Sequence, residues 1–78
     1  MHYVYILESV AGAHYYVGVT ANLRDRLERH NGGQVTHTAK HLPWALKSYV
    51  AFQDQAKAHA FERYLKSGSG RAFAKRHF

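Results

Sequence analysis

The sequence contains no cysteine, a single proline, a single tryptophan and only five acidic residues against eleven lysines and arginines. Without cysteine the chain has no disulfide, no thiolate nucleophile and no cysteine-ligated zinc site, which suits a reducing compartment. Its uninterrupted apolar runs are a few residues long, far short of the ~20 that cross a bilayer, and the N-terminus lacks the charged and apolar regions of a signal peptide. A soluble cytoplasmic protein with no membrane partner is expected. Repeats, linkers and low-complexity stretches are also missing, so residues 1–78 read as one domain. That length lies near the lower limit for independent folding and buries ~60% of the extended-chain surface.

Hydrophobic residues make up 46% of the chain and aromatic ones 14%, enough for a core. The net charge of +6 favours a polyanionic partner, with nucleic acid first. An anionic membrane surface comes second, and no strongly basic amphipathic helix supports it.

Residues 2–8 alternate as a strand, with Tyr3, Tyr5 and Leu7 on one face and Val4 and Ile6 on the other. The small residues of Ser9–Ala13 suit a hairpin loop, so a second strand, His14–Val19, returns antiparallel. The stretch from Tyr15 to His30 then runs from strand directly into helix, with Thr20 and Asn22 both able to cap the helix start. Gly18, at that junction, permits either a sharp turn or the close approach of a ligand's backbone. Asn31-Gly32-Gly33-Gln34 ends the helix. A polar loop follows, and Trp44–Phe52 reads as a third strand, with Trp44, Leu46, Val50 and Phe52 on one face and Lys47 and Tyr49 on the other. Asp54 caps a second helix, Gln55–Lys66, which Ser67-Gly68 ends; the tail forms a short basic helix packed through Phe73. The order β-β-α-β-α-α predicts an α+β domain with a small three-stranded sheet flanked by helices.

Both longer helices carry polar residues where apolar ones belong. At 100° per residue from Leu23, Leu27 falls at about 40°, His30 at about 340° and Arg26 at about 300°. Two readings stand. Either Arg26 edges the core with its stem and His30 is a satisfied interfacial histidine, or both are turned inward for chemistry. On the second helix Glu62 lies about 40° from Ala58, inside the Ala58–Phe61–Leu65 stripe, while Arg63 and Lys66 point elsewhere. A carboxylate so placed needs a cation, a proton or a different helix phase. In the polar loop, Lys40, His37 and His41 either contact phosphate or are simply solvated. His37 and His41 have the spacing of a helical metal pair, with no third ligand nearby.

The motifs Tyr3-Val4-Tyr5 and Tyr16-Val17-Gly18, separated by the ten residues Ile6 to Tyr15, resemble those that name the GIY-YIG endonuclease superfamily. Arg26 stands eight residues after Gly18, His30 one turn later, and Glu62 on the next long helix, as in that family. The resemblance covers nearly the whole chain, including Pro43-Trp44 and the run from Tyr64 to Arg71, and is strongest to the small stand-alone members. Two positions depart from the pattern. Tyr3 replaces the first motif's glycine, and Val19 follows Gly18 where excision-repair members have lysine, removing a phosphate-binding charge.

The resemblance implies hydrolysis of a phosphodiester by water with one divalent ion, Mg²⁺ or Mn²⁺, held by Glu62. Arg26 would offer a planar fork to the developing charge. Tyr5 or Tyr16 would activate the water, and His30 would relay a proton or bind phosphate. Lys66 and Arg71 join Lys40, His37 and His41 as candidate contacts to nucleic acid: DNA first, with RNA or branched DNA as alternatives. The competing reading is a nucleic-acid-binding module that keeps the fold and basic face without turnover.

Overall fold

A strand that is apolar on both faces has to lie between two layers. In the computed structural model, which describes residues 1–10 and 14–78, His2–Ser9 (β1) is the central strand of an antiparallel sheet. Tyr15–Thr20 (β2) pairs on one side and Trp44–Phe52 (β3) on the other. Three helices, Leu23–Asn31 (α1), Gln55–Leu65 (α2) and Gly68–His77 (α3), complete the expected order, with a short 3-10 turn at Ala39–His41 before β3. Of the expected hairpin loop, Ser9 is the last residue of β1, its N–H bonded to the His14 carbonyl, and residues 11–13 lie outside the described residues.

The two faces of β1 serve different helices. Val4 and Ile6, with Val17, Val19 and Phe52, pack against Ala58, Phe61 and Leu65 of α2 and against Phe73, Ala74 and Phe78 at the C-terminus. Tyr5 and Leu7, with Trp44, Leu46 and Tyr16, meet Leu23 and Leu27 of α1. Val4, Leu7 and Leu65 are almost wholly buried, each contributing roughly 1.5–3 kcal/mol.

The expected face assignment of β3 is corrected by a β-bulge. Ile6 pairs with Ser48 but Leu7 pairs with Leu46, so Lys47 is the extra residue. Trp44 and Leu46 therefore lie on the Tyr5 side, together with Tyr49, whereas Val50 and Phe52 lie on the Val4 side.

Asn22 caps α1, accepting from the Asp25 N–H at 3.0 Å, while Thr20 Oγ1 accepts from the Asn22 N–H at 3.1 Å. Asp54 and Ser67 cap α2 and α3 in the same way. Past the end of α1, Gly33 adopts φ +74°, the left-handed conformation that favours glycine.

The tight turn from α2 to α3 yields a paired prediction. A Cβ on Gly70 would overlap the Tyr64 carbonyl and stand 2.7 Å from Leu65 Cα, whereas one on Gly68 would meet nothing within 4 Å. Gly70→Ala is expected to cost about 2 kcal/mol or more, lowering the melting temperature by roughly 10 °C. Gly68→Ala should leave it unchanged or slightly higher; equal melting curves for the two variants would contradict this packing.

Candidate active site

Tyr5 and Gly18 face each other across β1 and β2. The Tyr5 phenol folds over the glycine: a Cβ there would lie 2.6 Å from Tyr5 Cζ. The space that Gly18 leaves is taken by the chain's own tyrosine, not left for a ligand's backbone. Tyr5 is thereby aimed at the underside of α1, where Leu23 and Leu27 dock on the same face.

His30, one turn beyond Arg26, meets it there. His30 is fully buried and bonded at both ring nitrogens, Nε2 to Tyr5 Oη at 2.9 Å and Nδ1 to Thr38 Oγ1 at 2.8 Å. The Thr38 hydroxyl donates to the Val35 carbonyl at 3.3 Å, and Trp44 Nε1–H donates to the Thr38 carbonyl at 2.8 Å. Asn31 clamps the start of β3: its Oδ1 accepts from the Trp44 N–H at 2.6 Å and its Nδ2 donates to the Trp44 carbonyl at 3.0 Å. The Tyr16 ring completes the cluster, 4.8 Å from His30 and 6.3 Å from Tyr5 between centroids.

Burial dominates the electrostatics. It pushes the Tyr5 phenol up to about 12, helped by neighbouring Tyr16 and slightly by Glu62, while Arg26 offsets part of the rise through its charge and its donors. Burial, and then the positive charge of Arg26, hold His30 below the usual imidazole range. The site at neutral pH thus holds a neutral phenol and a neutral imidazole beside a fixed cation.

Glu62 approaches differently from the expectation. It belongs to α2, whose apolar stripe packs on the Val4 face, whereas α1, which carries Arg26 and His30, packs on the Tyr5 face. Its reach to the cluster is electrostatic, through the upward push on Tyr5. Lys66 does not point elsewhere: its Nζ lies 3.1 Å from Glu62 Oε2, one helical turn on, and His59 Nδ1 is 3.9 Å from Oε1. The carboxylate side chain keeps 18% exposure.

A groove of about 910 Å³ lies between β2 and α3 on the Ile6–Val17 side of the sheet, the face opposite Tyr5, and Lys47, Lys66, Arg71 and Lys75 line it with no aspartate or glutamate among the described residues of its wall. Of the candidate nucleic-acid contacts singled out from the sequence, Lys66 and Arg71 are in this groove; Lys40 and His37 are exposed on the loop before β3, and His41 stacks on His14 at 3.7 Å. Lys47 and Lys75 were not expected there, since nothing local marks them. Thr38 and Asn31 were missed too, because their partners are remote in sequence.

The GIY-YIG catalytic domain family model matches residues 1–76. The chain belongs to the GIY-YIG family. It is 40% identical over 67 residues to a UPF0213 protein of Bacillus cereus, covering 83% of this chain and 68% of that one. To a UPF0213 protein of Pediococcus acidilactici it is 39% identical over 57 residues, covering 69% of this chain and 58% of the relative. The solution NMR structure of a UPF0213 protein from Bacillus halodurans superposes with a TM-score of 0.58 at 31% identity, covering 95% of this chain and 79% of that one. As a GIY-YIG domain the chain falls in a nuclease family; the UPF0213 names assign no reaction.

The buried pair predicts a two-sided pH dependence of stability. The unfolded chain protonates His30 near pH 6.5 and the folded chain does so only lower, so this contribution is complete above about 6.5 and is lost as pH falls through the lowered folded value. Tyr5 mirrors it, its contribution being complete below about 10 and lost as pH rises toward about 12. Melting temperature should therefore fall on both limbs, with a shallower acid limb in His30→Gln and a shallower alkaline limb in Tyr5→Phe. Limbs as steep as the parent's in those variants would assign the effect to other groups.

Proposed function

We propose that this GIY-YIG domain is a divalent-metal-dependent endonuclease that hydrolyses phosphodiester bonds of nucleic acid, DNA first. The observation that carries the reading is the buried Tyr5–His30 hydrogen bond with Arg26 beside it. Stability alone gives little reason to bury a phenol and an imidazole beside a half-buried arginine. Tyr5 alone is a poor base, since its proton is held more tightly than in water. With His30 Nε2 at 2.9 Å to take that proton, the phenol oxygen can accept one from an attacking water. Arg26 presents donors to the charge that develops on the phosphate. Tyr16, against His30 and in the groove wall, orients the water or the strand that carries the scissile bond. Gly18 keeps Tyr5 in place.

Glu62 is the residue proposed to hold the ion. One of its oxygens is taken up by Lys66 and the other has, among the described residues, only the distant His59. A single such carboxylate suits a hard cation that keeps most of its waters, Mg²⁺ or Mn²⁺. Among the described residues no cluster of three His, Cys, Asp or Glu forms a closed protein cage. When bound, the ion supplies positive charge to a phosphate oxygen.

The groove cations Lys47, Lys66, Arg71 and Lys75 support a polyanionic substrate, with Lys40, His37 and His41 as outlying contacts. Binding should weaken steeply with salt, with a log–log slope of about −0.9 per duplex phosphate neutralised. The second reading, binding without turnover, is favoured by the raised pKa of Tyr5.

Labelled single-stranded, duplex and branched DNA and RNA, incubated with Mg²⁺, Mn²⁺ or EDTA, separate the two. Metal-dependent cleavage is expected; salt-sensitive binding with no product under any condition would leave the binding module. Arg26→Lys keeps the charge but loses the bidentate fork, so cleavage should fall at least tenfold with binding little changed.

Glu62→Gln should abolish cleavage. Its metal-free melting temperature should stay near the parent's, because the Glu62–Lys66 pair is half exposed on the lysine side and contributes about 0–1 kcal/mol. Mg²⁺ or Mn²⁺ should raise the parent's melting temperature and leave the variant's unmoved. A destabilised variant that still cuts would remove Glu62 from the metal.

A further inference from the structure

The reading above uses His30 as the acceptor of the Tyr5 proton, and a neutral imidazole accepts at only one nitrogen. Which nitrogen is free depends on what the other one bonds. Thr38 Oγ1, 2.8 Å from His30 Nδ1, has one proton and two lone pairs. Its own proton is directed to the Val35 carbonyl at 3.3 Å, which leaves a lone pair facing the ring. Thr38 is 1% exposed, so water does not compete for its hydroxyl. Its backbone is fixed by the Trp44 indole on the Thr38 carbonyl and by the Thr38 N–H on Val35.

We propose that Thr38 is a positioning residue that holds His30 as the Nδ1–H tautomer, so that Nε2 is the lone pair that receives the Tyr5 proton. The proton order runs from Tyr5 O–H to His30 Nε2, and from His30 Nδ1–H to Thr38 Oγ1, whose proton lies on the Val35 carbonyl. The reverse order fails on the Tyr5 side. There Nε2–H would donate to the phenol oxygen, and the buried Tyr5 proton would lose its 2.9 Å acceptor. The tautomer assignment is independent of turnover. Its consequence for rate rests on the nuclease reading, in which transfer to Nε2 forms an imidazolium that Thr38 Oγ1 continues to accept from.

The test combines ¹⁵N-edited NMR of the histidine side chains above pH 7 with cleavage kinetics on the full chain. In the parent, His30 is expected to show a protonated Nδ1 and an unprotonated Nε2. Thr38→Val keeps the shape and removes the acceptor; it should move the proton to Nε2 and lower kcat at least tenfold, with KM changed less than about twofold. Thr38→Ser restores the oxygen and should restore both the Nδ1–H signal and most of the rate. A parent His30 protonated on Nε2 overturns the proposal, as does a folded Thr38→Val that keeps the Nδ1–H signal. Should Thr38→Val fail to fold, Thr38→Ala takes its place, and the parent spectrum alone still decides the tautomer. A parent with the expected tautomer but no detectable cleavage defeats the nuclease reading and leaves the assignment intact.

Discussion

The hydrogen bond between Tyr5 and His30 is the contact on which the rest of the site depends, because neither group tolerates burial without the other. An orphaned buried donor or acceptor costs about 1–3 kcal/mol, and in a domain this small that is a large share of total stability. Three separate features serve this one contact. Gly18 gives the phenol room to cross β2. Leu23 and Leu27 set the rotation of α1 so that His30 turns inward. The loop before β3 delivers Thr38 to the remaining nitrogen, with Trp44 and Asn31 fixing that loop between α1 and the sheet.

What was legible in the sequence was whatever is written locally. Alternation over residues 2–8 placed Tyr5 and Leu7 opposite Val4 and Ile6, and both faces are indeed covered. The departure from amphipathicity at Arg26 and His30 marked the helix whose histidine is buried against Tyr5, since a polar residue on an apolar stripe signals function or strain. Asn22, one of two candidates for the start of α1, and Asp54 were readable as caps because their bonds close within three residues, whereas Ser67 read only as the end of α2 although it also caps α3.

The rest depended on contacts that no local pattern encodes. The bulge at Lys47 is invisible to alternation, because the covered positions Trp44, Leu46, Ser48, Val50 and Phe52 keep an unbroken every-second-residue spacing while the face they cover changes at Lys47. Thr38 sits in a polar stretch where a buried hydroxyl looks like any loop threonine, and its partner lies on another element. Asn31 ends α1 as expected of it, yet its side chain acts as a backbone mimic for Trp44, thirteen positions away.

Glu62 shows why geometry and energy must be weighed together. Its place on the apolar stripe of α2 suggested an unpaired buried charge, and the Lys66 partner removes that difficulty. It does not explain why a carboxylate is there. A half-exposed i,i+4 pair contributes less than an apolar side chain would in the same position, so stability favours a different residue. The same holds for Arg26 and His30 beneath α1. Three polar residues on the stripes of two helices bear on one phenol, His30 by a hydrogen bond and Arg26 and Glu62 through their charges. Tyr5 is where they meet because β1 is the central strand and Gly18 leaves its neighbour on β2 bare; the meeting point is fixed by backbone pairing, and the side chains that reach it are those that packing alone would have replaced.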